Sequence, residues 1–142
     1  GEEVYLKTVP VDPRDYLRGD YVILSYEIQS DDKVLNIINK YNLTNGDTLY
    51  FIIDKDEHNM GTLSDVSLDK PVDKLYIQGK VDTNSNTWTG TNIGIHKYFV
   101  PEGKGYQIER LRGDLDVLLS INSFGDAIIK DIYYNESKFE FK

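Results

Sequence analysis

Alternation of apolar and polar residues is the feature that most constrains this chain. In Tyr21–Gln29, residues Val22, Leu24, Tyr26 and Ile28 share one face of an extended strand, while Ile23, Ser25, Glu27 and Gln29 share a more polar one. The same period of two recurs at Leu49, Phe51 and Ile53, at Leu75, Ile77 and Val81, and at Leu115, Val117, Leu119 and Ile121. A period of two does not build one face of a helix, so these stretches are read as strands. The 11 Tyr and 5 Phe suit such a pleated, half-buried surface.

Turn chemistry divides the strands. Asn122-Ser123-Phe124-Gly125 predicts a hairpin whose returning strand is Asp126–Tyr134. Asn45-Gly46 predicts a turn because both residues tolerate positive φ, and Asp82–Asn86 predicts a polar hairpin loop. Val34, Ile37, Ile38 and Tyr41 follow a helical period instead, which predicts one main helix over about residues 33–41. Ser30, Asp31 and Asp32 offer its N-cap. A short helix is expected around Gly105–Arg112, and a single helical turn at Arg14–Leu17 after Pro13. The last residues, Phe139-Glu140-Phe141-Lys142, alternate and either add a short strand or fray. The fold class expected is α+β, predominantly antiparallel β, with a curled or barrel-like sheet and one main helix. With 142 residues and no internal repeat or linker, residues 2–142 are read as a single domain.

Charge and composition exclude some functions. A net charge of −8 disfavours a nucleic-acid phosphate backbone as partner. No run approaches the ~20 apolar residues of a membrane-spanning helix. Cysteine is absent, which removes disulfides and thiolate metal sites. Gly1, before Glu2-Glu3, reads as the residue left when an expression tag is cut away and is set aside from fold reasoning.

Gly19-Asp20-Tyr21-Val22-Ile23-Leu24-Ser25-Tyr26 fits G-D-Y-x-x-L-x-Y at every specified position, and it follows Asp12-Pro13-Arg14-Asp15 and Arg18. A second block, Tyr98-Phe99-Val100-Pro101-Glu102-Gly103-Lys104-Gly105, precedes Glu109, and Phe124-Gly125-Asp126-Ala127 joins the closing strands. On these motifs the chain resembles the GDYXXLXY protein family, a set of bacterial domains of uncharacterised function. The resemblance spans nearly the whole chain, although residues 31–91 carry no placed motif. It implies an N-terminal membrane anchor before the domain, a position outside the cytoplasm at the bacterial cell membrane, and a multi-pass membrane protein as partner. It implies no cofactor. The tag scar at Gly1 fits an anchor removed from the N-terminal side. Oligomeric state is not legible.

The candidate site is the charged and aromatic cluster Asp12, Arg14, Asp15, Arg18, Gly19, Asp20, Tyr21, Tyr26, Tyr98, Glu102 and Glu109. Arg14 or Arg18 is expected to pair with Glu102 or Glu109, because guanidinium and carboxylate match bidentately, and so to join the two motif blocks across the fold. The structural reading is an ion-pair clamp. The sharper readings are an Arg awaiting a carboxylate or phosphate ligand, and a pair of carboxylates doing acid–base work. Tyr98 and Phe99 are expected in the core or at its rim, and Trp88, which follows the Asp82–Asn86 loop, is expected to be half-buried.

Other chemistry lacks support. Pro101–Gly105 matches neither phosphate-loop motif and reads as a tight turn opening a helix. Asp82–Asn86 begins like a calcium loop, but Thr87 and Ile93 stand where Gly and the bidentate Glu belong. His58 and His96 are read as loop and rim residues, not metal ligands. No G-x-S-x-G elbow is present. The functional expectation is a non-catalytic binding or scaffold module. The alternatives are a small-molecule or cell-wall-fragment binder using Arg14, Arg18, Tyr26 and Glu102 in a cleft, and a hydrolase with paired carboxylates.

Overall fold

The computed structural model describes residues 1–9, 17–18, 20–84, 89–109, 111 and 115–142, with Leu17, Arg18 and Glu109 described by backbone alone. The alternating stretches are strands: β1 (Glu2–Lys7), β2 (Leu17–Arg18), β3 (Tyr21–Ile23), β4 (Thr48–Lys55), β5 (Gly61–Ser67), β6 (Tyr76–Val81), β7 (Thr91–Asn92), β8 (Lys97–Phe99), β9 (Leu115–Ile121), β10 (Ala127–Tyr134) and β11 (Ser137–Lys138). They form antiparallel sheets in the orders β1-β9-β10-β11, β2-β3-β8 and β5-β4-β6-β7. Isolated bridges at Tyr5–Met60 and Thr8–Tyr26 tie β1 to the other two sheets. The sheets curl around one core without closing into a barrel among the described residues.

The main helix, α1 (Asp32–Lys40), begins one residue before its expected start. Asp31 caps it by accepting the Lys33 N–H at 2.9 Å. Val34 is buried, and Ile37 and Ile38 pack against the core, as their spacing requires. The chain then turns through Gly46 at φ +96°, whose N–H bonds to Val81 O at 2.8 Å. A short helix, α2 (Gly105–Glu109), follows the second motif block.

The β9–β10 hairpin forms at the expected place. Asn122 Oδ1 accepts the N–H groups of Phe124 and Asp126 at 2.9 and 3.0 Å, which closes the turn. β9 lies between β1 and β10, so Val117, Leu119 and Ile121 reach the centre of the core.

Three expectations need correction. The strand from Tyr21 stops at Ile23, and Glu27–Ser30 is a 3-10 turn. Gln29 causes this break: its side chain accepts the Tyr26 N–H at 3.1 Å while its own N–H bonds to Tyr26 O. Of the more polar face, Ile23, Ser25 and Gln29 are buried as well, while Glu27 is exposed. Leu17 lies in a strand paired with Val22, not in a helical turn. At the C-terminus the added strand is Ser137–Lys138; the Phe139 N–H extends its pairing by a bond to Ile132 O, and Phe139 and Phe141 pack against the core.

Candidate functional site

The two motif blocks meet along one strand pair. Tyr21, Val22 and Ile23 of β3 face Phe99, Tyr98 and Lys97 of β8. Backbone bonds extend the pairing at both ends, from Val100 N to Asp20 O at 2.8 Å and from Leu24 N to His96 O at 2.7 Å. The Asp20, Val22 and Leu24 pairings are therefore the hydrogen-bonded ones, and Tyr21–Phe99 is a close non-bonded pair. The outward backbone groups of Lys97 and Phe99 point away from β3, because β8 is the outer strand of its sheet.

Alternation then sorts the motif side chains by face. Val22, Leu24 and Tyr26 point inward. Tyr26 is 0% exposed and donates its hydroxyl to Ile95 O at 2.8 Å. Next to it the buried Gln29 amide donates to Thr91 O and Thr91 Oγ1, each at 3.1 Å, and to Thr89 Oγ1 at 3.2 Å. This network fastens the segment after the GDY strand to the segment before the second block. Sequence reasoning missed it, because Gln29 stands among polar neighbours, Glu27 and Ser30-Asp31-Asp32, and carries no local signal of burial.

Tyr21 and Phe99 point outward, with ring centroids 5.6 Å apart. Lys97 places its ammonium 5.0 Å from the Tyr21 centroid, within reach of a cation–π contact. Phe99 is 70% exposed. Only Tyr98, on the opposite face, meets the expectation of a rim position. It is half-buried and stacks with Phe141, and burial, then the Asp131 carboxylate, push its phenol pKa up. His96 has its Nδ1 buried without a hydrogen-bond partner among the described residues. Burial first, then the Lys97 charge, lower its pKa below the ordinary 6.5.

Of the other predicted site residues, Asp12, Arg14, Asp15 and Gly19 lie outside the described residues, as do the side chains of Arg18 and Glu109. The expected Arg–Glu clamp falls there. Asp20 and Glu102 are both exposed, and they lie at the same end of the strand pair, beside the Val100–Asp20 bond. Tyr26 is corrected: it belongs to the core and cannot line a solvent-facing cleft. Trp88 and Thr87 also lie outside the described residues. Asp82 closes a local turn by accepting Asn84 N–H at 3.0 Å. His58 sits exposed in a loop, 3.5 Å from Glu57. No group of three or more His, Asp or Glu able to hold a metal occurs among the described residues. A shallow groove of about 610 Å³ lies elsewhere, between Asn45-Gly46, β6, Asn92–Gly94 and Asp126-Ala127.

Among the described residues, no helix is long and apolar enough to cross a membrane. Comparison with curated proteins and with solved structures gave no match. One family model, described as GDYXXLXY protein, matches residues 1–132 and so takes in both blocks and most of the closing hairpin. This chain belongs to the GDYXXLXY protein family.

Proposed function

We propose that this domain is a non-catalytic binding or scaffold module, held outside the cytoplasm by an N-terminal membrane anchor, whose partner is a membrane protein. The observation that supports this most is the Tyr21–Phe99 pair, a half-buried Tyr beside an exposed Phe on the outward face. Both belong to the motif blocks, yet neither fills the core. An exposed Phe gives folding little in return for its apolar surface, whereas aromatic side chains are the usual anchors of protein interfaces. The outward backbone groups of β8, the outer strand of its sheet among the described residues, and the Lys97 ammonium frame the pair with polar groups, as an interface rim requires. A charge of −8 disfavours attraction to anionic headgroups, so the anchor and not the surface holds the domain at the bilayer.

The test is affinity purification of the full-length anchored protein from solubilised membranes. One multi-pass membrane protein is expected to co-purify, and Tyr21→Ala or Phe99→Ala is expected to release it with the unfolding midpoint nearly unchanged. Retention of the same partner by both variants overturns the reading.

A further inference from the structure

The C-terminal tail lies beyond the stretch matched by the family model and folds back onto the second motif block. Phe139 N–H bonds to Ile132 O at 2.8 Å. Phe141 lies nearly parallel to Tyr98, at 14°, with centroids 6.5 Å apart, and Phe139 meets Phe141 edge-on at 5.0 Å. Gln107, on α2, reads the backbone of Lys142 on both sides: its Oε1 accepts the N–H at 2.9 Å, and its Nε2 donates to the carbonyl at 3.1 Å. Lys104 Nζ donates to the same carbonyl oxygen. A side-chain amide bonded to both backbone groups imitates an adjacent strand, and it recognises an extended chain whatever its sequence. Sequence preference then comes from the two rings, which meet edge-on against Tyr98.

We propose that Tyr98, Lys104 and Gln107 form a peptide groove for an extended aromatic-x-aromatic segment of a partner protein, and that Phe139–Lys142 fills it in cis as a releasable strap. The strap follows directly on β11, whose residues pair with β10 (Tyr133 with Lys138, Tyr134 with Ser137). Because the strap is covalently attached, its effective concentration is high, and a competing segment binds only the fraction of molecules in which the strap is open.

The experiment uses a labelled peptide with the sequence of residues 137–142 and fluorescence polarisation. A chain ending at Lys138 is expected to bind it saturably, and the full chain at least about tenfold more weakly, the factor for a groove that is open a tenth of the time or less. Gln107→Ala in the shortened chain, or Ala in place of both Phe in the peptide, is expected to abolish binding. Should the shortened chain fail to fold, the full-length F139A/F141A variant, with its groove vacated, is titrated instead. A folded, vacated chain that ignores the peptide overturns the proposal, as does equal binding by vacated and full chains. Phe99→Ala is expected to leave peptide binding unchanged, so this result and the membrane-partner result stand or fall separately.

Discussion

Tyr26 buries its hydroxyl completely, and its bond to the Ile95 carbonyl offsets the cost of that burial. Tyr26→Phe keeps the ring and leaves that carbonyl short of a donor. Unfolding in urea is expected to show a loss of about 1–3 kcal/mol, the cost of an unsatisfied buried acceptor. His96 makes a second residue-scale prediction. Its pKa is lowered in the fold, so the unfolded chain takes up the proton first as pH falls. Its contribution is intact above the ordinary value of 6.5 and is lost as pH drops through the lowered folded value. Urea midpoints measured across that range are expected to fall with pH in the native chain and to flatten in His96→Gln. Asp56, whose carboxyl is held below 3.8 by the Met60 and His58 backbone N–H groups, acts only at much lower pH.

The β9–β10 hairpin is legible in the sequence because every part of its signal is local: alternation on both sides and an Asn–Gly turn between them. What sequence does not reveal is where the hairpin docks. Gly125 sits at φ +80° with its carbonyl accepting Gln78 N–H at 2.8 Å, and a Cβ there would lie 2.5 Å from the Tyr76 ring. Gly125→Ala is expected to lower stability by roughly 1–3 kcal/mol through backbone strain alone, and further through the clash. Gly46→Ala, at φ +96° with open space around it, carries only the strain, and a milder drop in the urea midpoint is expected. The main helix was equally legible, since its stripe and its Asp31 cap lie within one short segment. The strand from Tyr21 was misjudged because Gln29 reaches back to the Tyr26 N–H, and a side-chain bond of that kind leaves no mark on hydrophobic period. The tail was open to either reading because its anchors, Tyr98 and Gln107, are more than thirty residues away in the chain.

At the scale of the molecule, the GDY strand and the second block adjoin only because the chain returns to β3 after building the β5-β4-β6-β7 sheet. Local patterning cannot disclose such a pairing; the motifs pointed to it by setting two unusual blocks in one family. The pairing sends Leu24 and Tyr26 inward and Tyr21 and Phe99 outward, so one short ladder serves both the core and the proposed interface. The charged half of the candidate site, Arg14, Arg18 and Glu109, was named from sequence and lies outside the described side chains. The absence of Cys in the chain allows a direct test of the ladder. Residues in a non-bonded antiparallel pair have Cα atoms about 4.5 Å apart, close enough for a disulfide. A Tyr21→Cys, Phe99→Cys double variant is expected to form an intramolecular disulfide on mild oxidation, whereas Tyr21→Cys with Tyr98→Cys, on opposite faces, is expected to remain reduced. A folded Tyr21→Cys, Phe99→Cys variant that stays reduced would contradict the β3–β8 register, and with it the exposed aromatic face.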